Sequence, residues 1–225
     1  MGNWSRSRLI ALCALMGAIA VVALGVVAGC SDSNAAQAGS TDQGATTAEH
    51  PHAGTTGADF EGGLIEPRRV APPLRLRDID GKEVDLKDLR GAPVLVTFVY
   101  ATCPDVCPLI MQSLRQVRES SKLGKSLRVI AVSVDPDGDT PKVVRSFLTR
   151  QHVGFVDYLI GSRTQLEPVW ADWQVGTNVP TDNPELIEHT ALIYGITASG
   201  ELATAYPVGF DPAAVARDLP LLART

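Results

Sequence analysis

Two cysteines four residues apart, each followed by proline, interrupt the stretch "FVYATCPDVCPLIMQSL", residues 98–114. Cys103 and Cys107 are suited to three kinds of chemistry: closing a structural disulfide, cycling as a redox dithiol, or chelating a soft metal ion as thiolates. A disulfide across so short a loop would constrain the unfolded chain by only about 2 kcal/mol. The spacing is C-x-x-x-C rather than the C-x-x-C of common dithiol oxidoreductases. Two thiolates favour Cu(I), and one imidazole would complete a low-coordinate site. Redox couple and metal site both stay open on these residues alone.

The prolines say how the sulfurs should be presented. Proline disfavours helical conformation in the residue before it, so Pro104 and Pro108 should hold Cys103 and Cys107 extended. Pro108 suits the first position of a helix whose apolar residues Ile110, Leu114 and Val117 recur at helical spacing, which predicts Cys107 as the N-cap. Unsatisfied N–H groups and the dipole favour thiolate there, so both cysteines should deprotonate easily.

The chain has four histidines. His152 follows Arg150 and Gln151 at a predicted helix end and is read as an exposed cap. His189, in "LIEHTALIY", lies at the mouth of a predicted strand, where a rigid sheet presents functional groups. A structural role and a ligand role are both open to it. His50 and His52, in "EHPHAG", have no further ligands around them and are read as solvated linker residues. Asp135, Asp137 and Asp139 alternate, but the sixth and twelfth positions of a calcium loop would be Thr140 and Ser146, which excludes an EF-hand. Asp139 and Thr140 are instead read as starting a helix with Pro141 at its first position, and Asp135 as a residue behind the cysteine site. Met111, one turn into the first helix, is read as packing.

Elements that could position this chemistry follow from hydrophobic period. "VLVTFVY" (94–100) and "LRVIAVSVD" (127–135) read as buried strands, and 158–160 as a short one. An Asp80-Gly81 step between alternating segments over 74–86 predicts a hairpin, and a second is expected around 198–200. Helices are expected over "TPKVVRSFLTR", around Leu166, Val169, Trp170 and Trp173, and over 211–222, with both tryptophans in packing roles. The order β-α-β-α-β-α-β-β-α predicts an α/β sandwich: a central mixed sheet flanked by helices, preceded by an N-terminal hairpin extension.

The first 29 residues carry Arg6 and Arg8, then an uncharged run of 21 residues from Leu9 to Gly29, which reads as an export signal or membrane segment. That run ends in Val27-Ala28-Gly29-Cys30, which resembles a bacterial lipobox, and this would make Cys30 a lipid anchor. Residues 30–67 are rich in Ser, Thr, Gly and Ala and are read as a lipidated N-terminus and flexible tether of about 30 to 35 Å reach. Residues 68–225 are read as the folded domain, on the extracytoplasmic face of the cell membrane. Losing residues 1–29, which hold two arginines and no acid, moves the net charge from −5 to −7, so nucleic acid is excluded as a partner. Cys13 leaves with the signal, and Cys103 and Cys107 are the only other thiols besides Cys30.

"VTFVYATCPDVCP", then "VSVDPDGDTP", then "EHTALIY" resemble the Sco/SenC family from about residue 74 to 222. This resemblance implies a thioredoxin-like fold and copper ligation by Cys103, Cys107 and His189. It also implies a chaperone role in assembling the dinuclear CuA centre, with cytochrome c oxidase subunit II as copper acceptor and a thiol reductant as second partner. Cys103 and Cys107 would be a redox-active pair whose disulfide state releases the metal. Gly138 departs from the family's usual arginine, and Glu188 and Thr190 from its common Asp and Ser. An alternative is an enzyme, a thiol-disulfide oxidoreductase that reduces acceptor cysteines before metal insertion. A third is a passive lipid-anchored module.

Overall fold

The computed structural model describes residues 60–178 and 186–224. The signal, Cys30, His50 and His52 lie outside the described residues.

The sheet is built around β4 (Val94–Val99), all of whose residues are buried, as expected for a strand covered on both faces. β5 (Arg128–Ser133) lies parallel to it, and β6 (Val156–Ile160) parallel to β5. The predicted first hairpin is β2 (Arg75–Asp78) and β3 (Glu83–Asp85), turning through Gly81 at φ 81°. β2 joins the sheet antiparallel to β6. On the other side β9 (Leu192–Ile196) is antiparallel to β4 and pairs with β10 (Glu201–Pro207), turning through Gly200 at φ 90°. With β1 (Gly63–Val70) the order is β1-β10-β9-β4-β5-β6-β2-β3, a mixed eight-stranded sheet as expected.

β1 corrects the boundary drawn at residue 67. Its mostly exposed residues give no apolar pattern, yet Gly63 and Leu64 pair with Ala205 and Thr204, and Arg69 and Val70 with Leu202 and Glu201. Phe60 is already buried. The Asp218 carboxylate reaches back to the N–H groups of Glu61 and Gly62 and accepts from the Tyr206 hydroxyl at 2.9 Å. The described chain is therefore folded from Phe60 onward, secured by tertiary contacts rather than by local pattern.

Four helices flank the sheet: α1 (Val106–Ser120), α2 (Pro141–Gln151), α3 (Arg163–Asp172) and α4 (Pro212–Arg224). α1 buries Ile110, Met111, Leu114 and Val117, the spacing-predicted face with Met111 in the packing role. Thr140 caps α2, accepting from the Val143 N–H, with Pro141 following as predicted. His152 is the exposed C-cap of α2 in left-handed conformation, φ 56°. Trp170 and Trp173 are buried and donate to the Ser133 and Pro73 carbonyls at 3.0 and 3.3 Å. Each spends its one donor inside the fold.

Candidate metal centre

Because β4 and β5 are parallel, the loops after them emerge at the same end of the sheet, where α/β folds place their sites. The loop after β4 carries both cysteines. Cys103 donates its N–H to the Tyr100 carbonyl at 3.3 Å, and its sulfur accepts the Cys107 N–H at 3.4 Å. Both are buried free thiols.

Helix α1 starts earlier than the prolines suggest. Asp105, not Cys107, is the N-cap, and its side chain makes no capping bond. Cys107 is inside the first turn and Pro108 follows it there, where a missing N–H costs no helical hydrogen bond. The Cys103 sulfur, sitting over that turn, does the accepting an N-cap oxygen normally does.

The two thiols are consequently unequal, against the expectation that both ionise easily. A hydrogen bond from Cys107, with backbone N–H groups of Asp105 and Cys107 and the Tyr100 side chain, lowers the Cys103 thiol to about 5 despite burial. Cys107 is pushed far up, first because its thiol is the donor to Cys103 and then by burial. The pair holds one proton, on the inner sulfur.

His189 sits in β8 (Glu188–His189), paired antiparallel with β7 (Thr177–Asn178) in a small separate sheet. Its Nδ1 lies 3.2 Å from the Thr190 carbonyl, an arrangement that puts the ring proton on Nδ1. Nε2 is buried and has no partner. Burial lowers the imidazole pKa, while the Thr190 carbonyl and then the Cys103 charge oppose that shift. A neutral ring beside a thiolate, with one lone pair free, is a ligand set suited to a soft cation. Among the described residues no three His, Cys, Asp or Glu side chains converge tightly enough to hold a metal ion. The structure brings Cys103 and Cys107 together and leaves His189 outside that pair, within reach of the Cys103 charge.

The acidic loop after β5 contributes differently from the sequence reading. Asp139 does not start α2. Its carboxylate turns inward, 4% exposed, and accepts from the Ala101 N–H at 2.8 Å, the Ser133 hydroxyl at 2.6 Å and the Tyr158 hydroxyl at 2.7 Å. It thereby fixes the chain two residues before Cys103, and its charge also helps to raise Cys107. Asp135 accepts the Gly138 N–H at 2.8 Å, closing its own loop. A Cβ at Gly138 would meet the Asp135 carboxylate at 2.1 Å, so a side chain here requires Asp135 to move. The cation paired with this loop is Arg163, 3.2 Å from Asp137.

Tyr100 was not singled out by sequence, where it reads as the last aromatic of a strand. It is 1% exposed, accepts the Ile187 N–H at 3.2 Å and stands edge-on to His189, centroids 6.1 Å apart at 77°.

A dithiol placed where a buried parallel strand gives way to a helix, on a mixed sheet flanked by helices, is a thioredoxin-like arrangement, and solved structures share the fold. The structure of Bradyrhizobium japonicum ScoI with copper bound superposes at a TM-score of 0.58 with 31% identity, covering 68% of this chain and 99% of that one. The solution structures of apo Sco1 from Thermus thermophilus give 0.63 and 26%, covering 75% and 100%. The chain belongs to the SCO1/SenC family, whose profile matches residues 63–224. An SCO2-like protein of Rickettsia prowazekii is 28% identical over 137 residues, 59% of this chain and 66% of the relative's length.

Proposed function

We propose that the chain is a membrane-tethered, extracytoplasmic copper chaperone. Cys103, Cys107 and His189 hold copper as cargo, and the acceptor is the CuA centre of cytochrome c oxidase subunit II. The observation that carries this reading is the buried, unpartnered Nε2 of His189 beside a thiol that ionises below neutral pH. A buried nitrogen without a partner is costly in an apo protein and explained by a cation that the neighbouring sulfurs also bind. Loading would draw the imidazole in towards the thiols and displace the proton on Cys107.

Redox state gates the cargo. Oxidation of the thiolate–thiol pair to a disulfide releases the one proton it holds and passes two electrons to a disulfide or quinone-linked oxidant, leaving no thiolate for Cu(I). A dithiol reductant reverses it by exchange. Family membership and the copper-bound relative support the cargo, and Cys30 in its lipobox supports the tether.

Copper stoichiometry of the purified reduced protein tests the assignment. One tightly bound ion is expected, with loss in Cys103→Ala and Cys107→Ala and a weaker complex in His189→Ala. Unchanged tight binding in all three variants would sink it.

One observation favours a second reading. An ionised outer sulfur over a protonated inner one is the arrangement of an attacking and a resolving thiol. Under that reading the protein reduces acceptor cysteines without copper, and this activity would survive in His189→Ala but not in either cysteine variant.

A further inference from the structure

The element that carries His189 is held weakly by its own pairing. β8 has two residues, and so has β7, its strand partner. An isolated two-stranded ladder of this size is marginal in water. The other hydrogen bonds around it tie it to β7 and the chain before that strand. Thr190 donates its N–H to the Gly176 carbonyl at 3.1 Å, its hydroxyl accepts the Gly176 N–H at 3.3 Å, and Asn178 donates to Glu188 at 3.1 Å. None of these fixes β8 relative to the cysteines.

Tyr100 does. Its carbonyl accepts the Cys103 N–H at 3.3 Å and its hydroxyl accepts the Ile187 N–H at 3.2 Å. Among the described residues it is the side chain that makes a hydrogen bond between the cysteine loop and residues 186–190. Its ring packs edge-on against the imidazole, and its own placement is rigid because the next residue, Ala101, is pinned by Asp139. We propose that Tyr100 is a positioning residue, a clamp that holds His189 beside the thiols by gripping β8 through Ile187.

The geometry predicts how the clamp acts. The imidazole is the neutral donor of the set, and without an anchor its segment must be ordered each time a cation is bound. With Tyr100 in place most of that ordering is already done in the apo protein, and loading needs only a short approach of the ring. Removing one hydroxyl should therefore loosen β8 and weaken metal binding mainly through His189, with a smaller part through the bond the same hydroxyl gives the Cys103 sulfur.

Tyr100→Phe tests this, since it keeps the ring and removes the hydroxyl. In the apo reduced protein, amide exchange at Ile187 should accelerate about tenfold, the loss of one hydrogen bond, while the melting curve stays near that of the parent. Tyr206→Phe, which removes the hydroxyl of another buried tyrosine, bonded to Asp218, should leave Ile187 exchange unchanged. In competition with a chromophoric Cu(I) chelator, Tyr100→Phe should weaken binding about tenfold, and this penalty should shrink to a minor part in a His189→Ala background, the remainder being the hydroxyl's bond to the Cys103 sulfur. Ile187 exchange as slow as in the parent, or a penalty that persists in full without His189, overturns the proposal. The inference rests on the copper reading for its metal arm alone: a parent protein that binds no copper refutes that reading, and apo exchange then decides the clamp by itself.

Discussion

At Cys103 the backbone of the following helix does the electrostatic work. The sulfur accepts the Cys107 N–H, receives a hydrogen bond from the Cys107 thiol, and has its pKa lowered to about 5. Cys107, fully buried, keeps its proton. Alkylation of the reduced protein by iodoacetamide should therefore rise with pH through about 5 at Cys103, with Cys107 unreactive until the chain unfolds. Peptide mapping across pH 4 to 10 reads both sites; a common midpoint near the ordinary thiol value of about 8.5 would contradict the asymmetry. The folded value lies below the unfolded one, so the thiolate's stabilisation is complete above the unfolded pKa and is lost as pH falls through about 5. At neutral pH the outer sulfur is charged and His189 is neutral, the forms that the proposed copper ligation requires. The sequence placed both cysteines at a helix start. Which sulfur the N–H groups reach depended on α1 beginning at Val106, one residue before Cys107, which proline preference alone does not settle.

Among the elements, α2 and the loop before it separate what is local from what is not. Thr140 followed by Pro141 is a helix start on local chemistry alone, and it forms one. Asp139 beside it reads the same way on sequence, yet its three hydrogen-bond partners lie 38, 6 and 19 positions away. Replacing it with alanine leaves the Ala101 N–H and the Ser133 hydroxyl without this acceptor, while the Tyr158 hydroxyl keeps the Val99 carbonyl at 3.3 Å. At about 1–3 kcal/mol for each buried group left unpaired, Asp139→Ala should lose about 2 kcal/mol or more. Urea unfolding of the reduced protein measures it, and a loss under about 0.5 kcal/mol would refute the network's role. Tyr100 escaped sequence reading for a similar reason: its hydroxyl meets an N–H 87 positions away.

For the whole molecule, the chain ahead of β1 bears on how the site is carried. Asp218 on α4 fastens residues 61 and 62, so this segment is fixed to the last helix. Ahead of it the sequence carries Val27-Ala28-Gly29-Cys30, which resembles a lipobox. Intact mass spectrometry of protein purified from membranes should show a chain starting at Cys30 with an added lipid mass, absent from Cys30→Ala. Retention of residues 1–29 in the parent would mean a spanning segment instead. Pattern and composition by themselves determined the mixed α/β architecture, the strands and helices that bear the site, and the residue types able to bind a soft metal, because buried strands, amphipathic helices and paired thiols are local signals. The tertiary structure decided the inequality of the thiols, the inward turn of Asp139, the strand at residues 63–70 and the bridge from Tyr100 to the histidine strand. The last three rest on hydrogen bonds between residues apart in the chain, which only the closed sheet brings within reach of one another, and the first rests on α1 starting at Val106, which turns the Cys107 N–H onto the Cys103 sulfur.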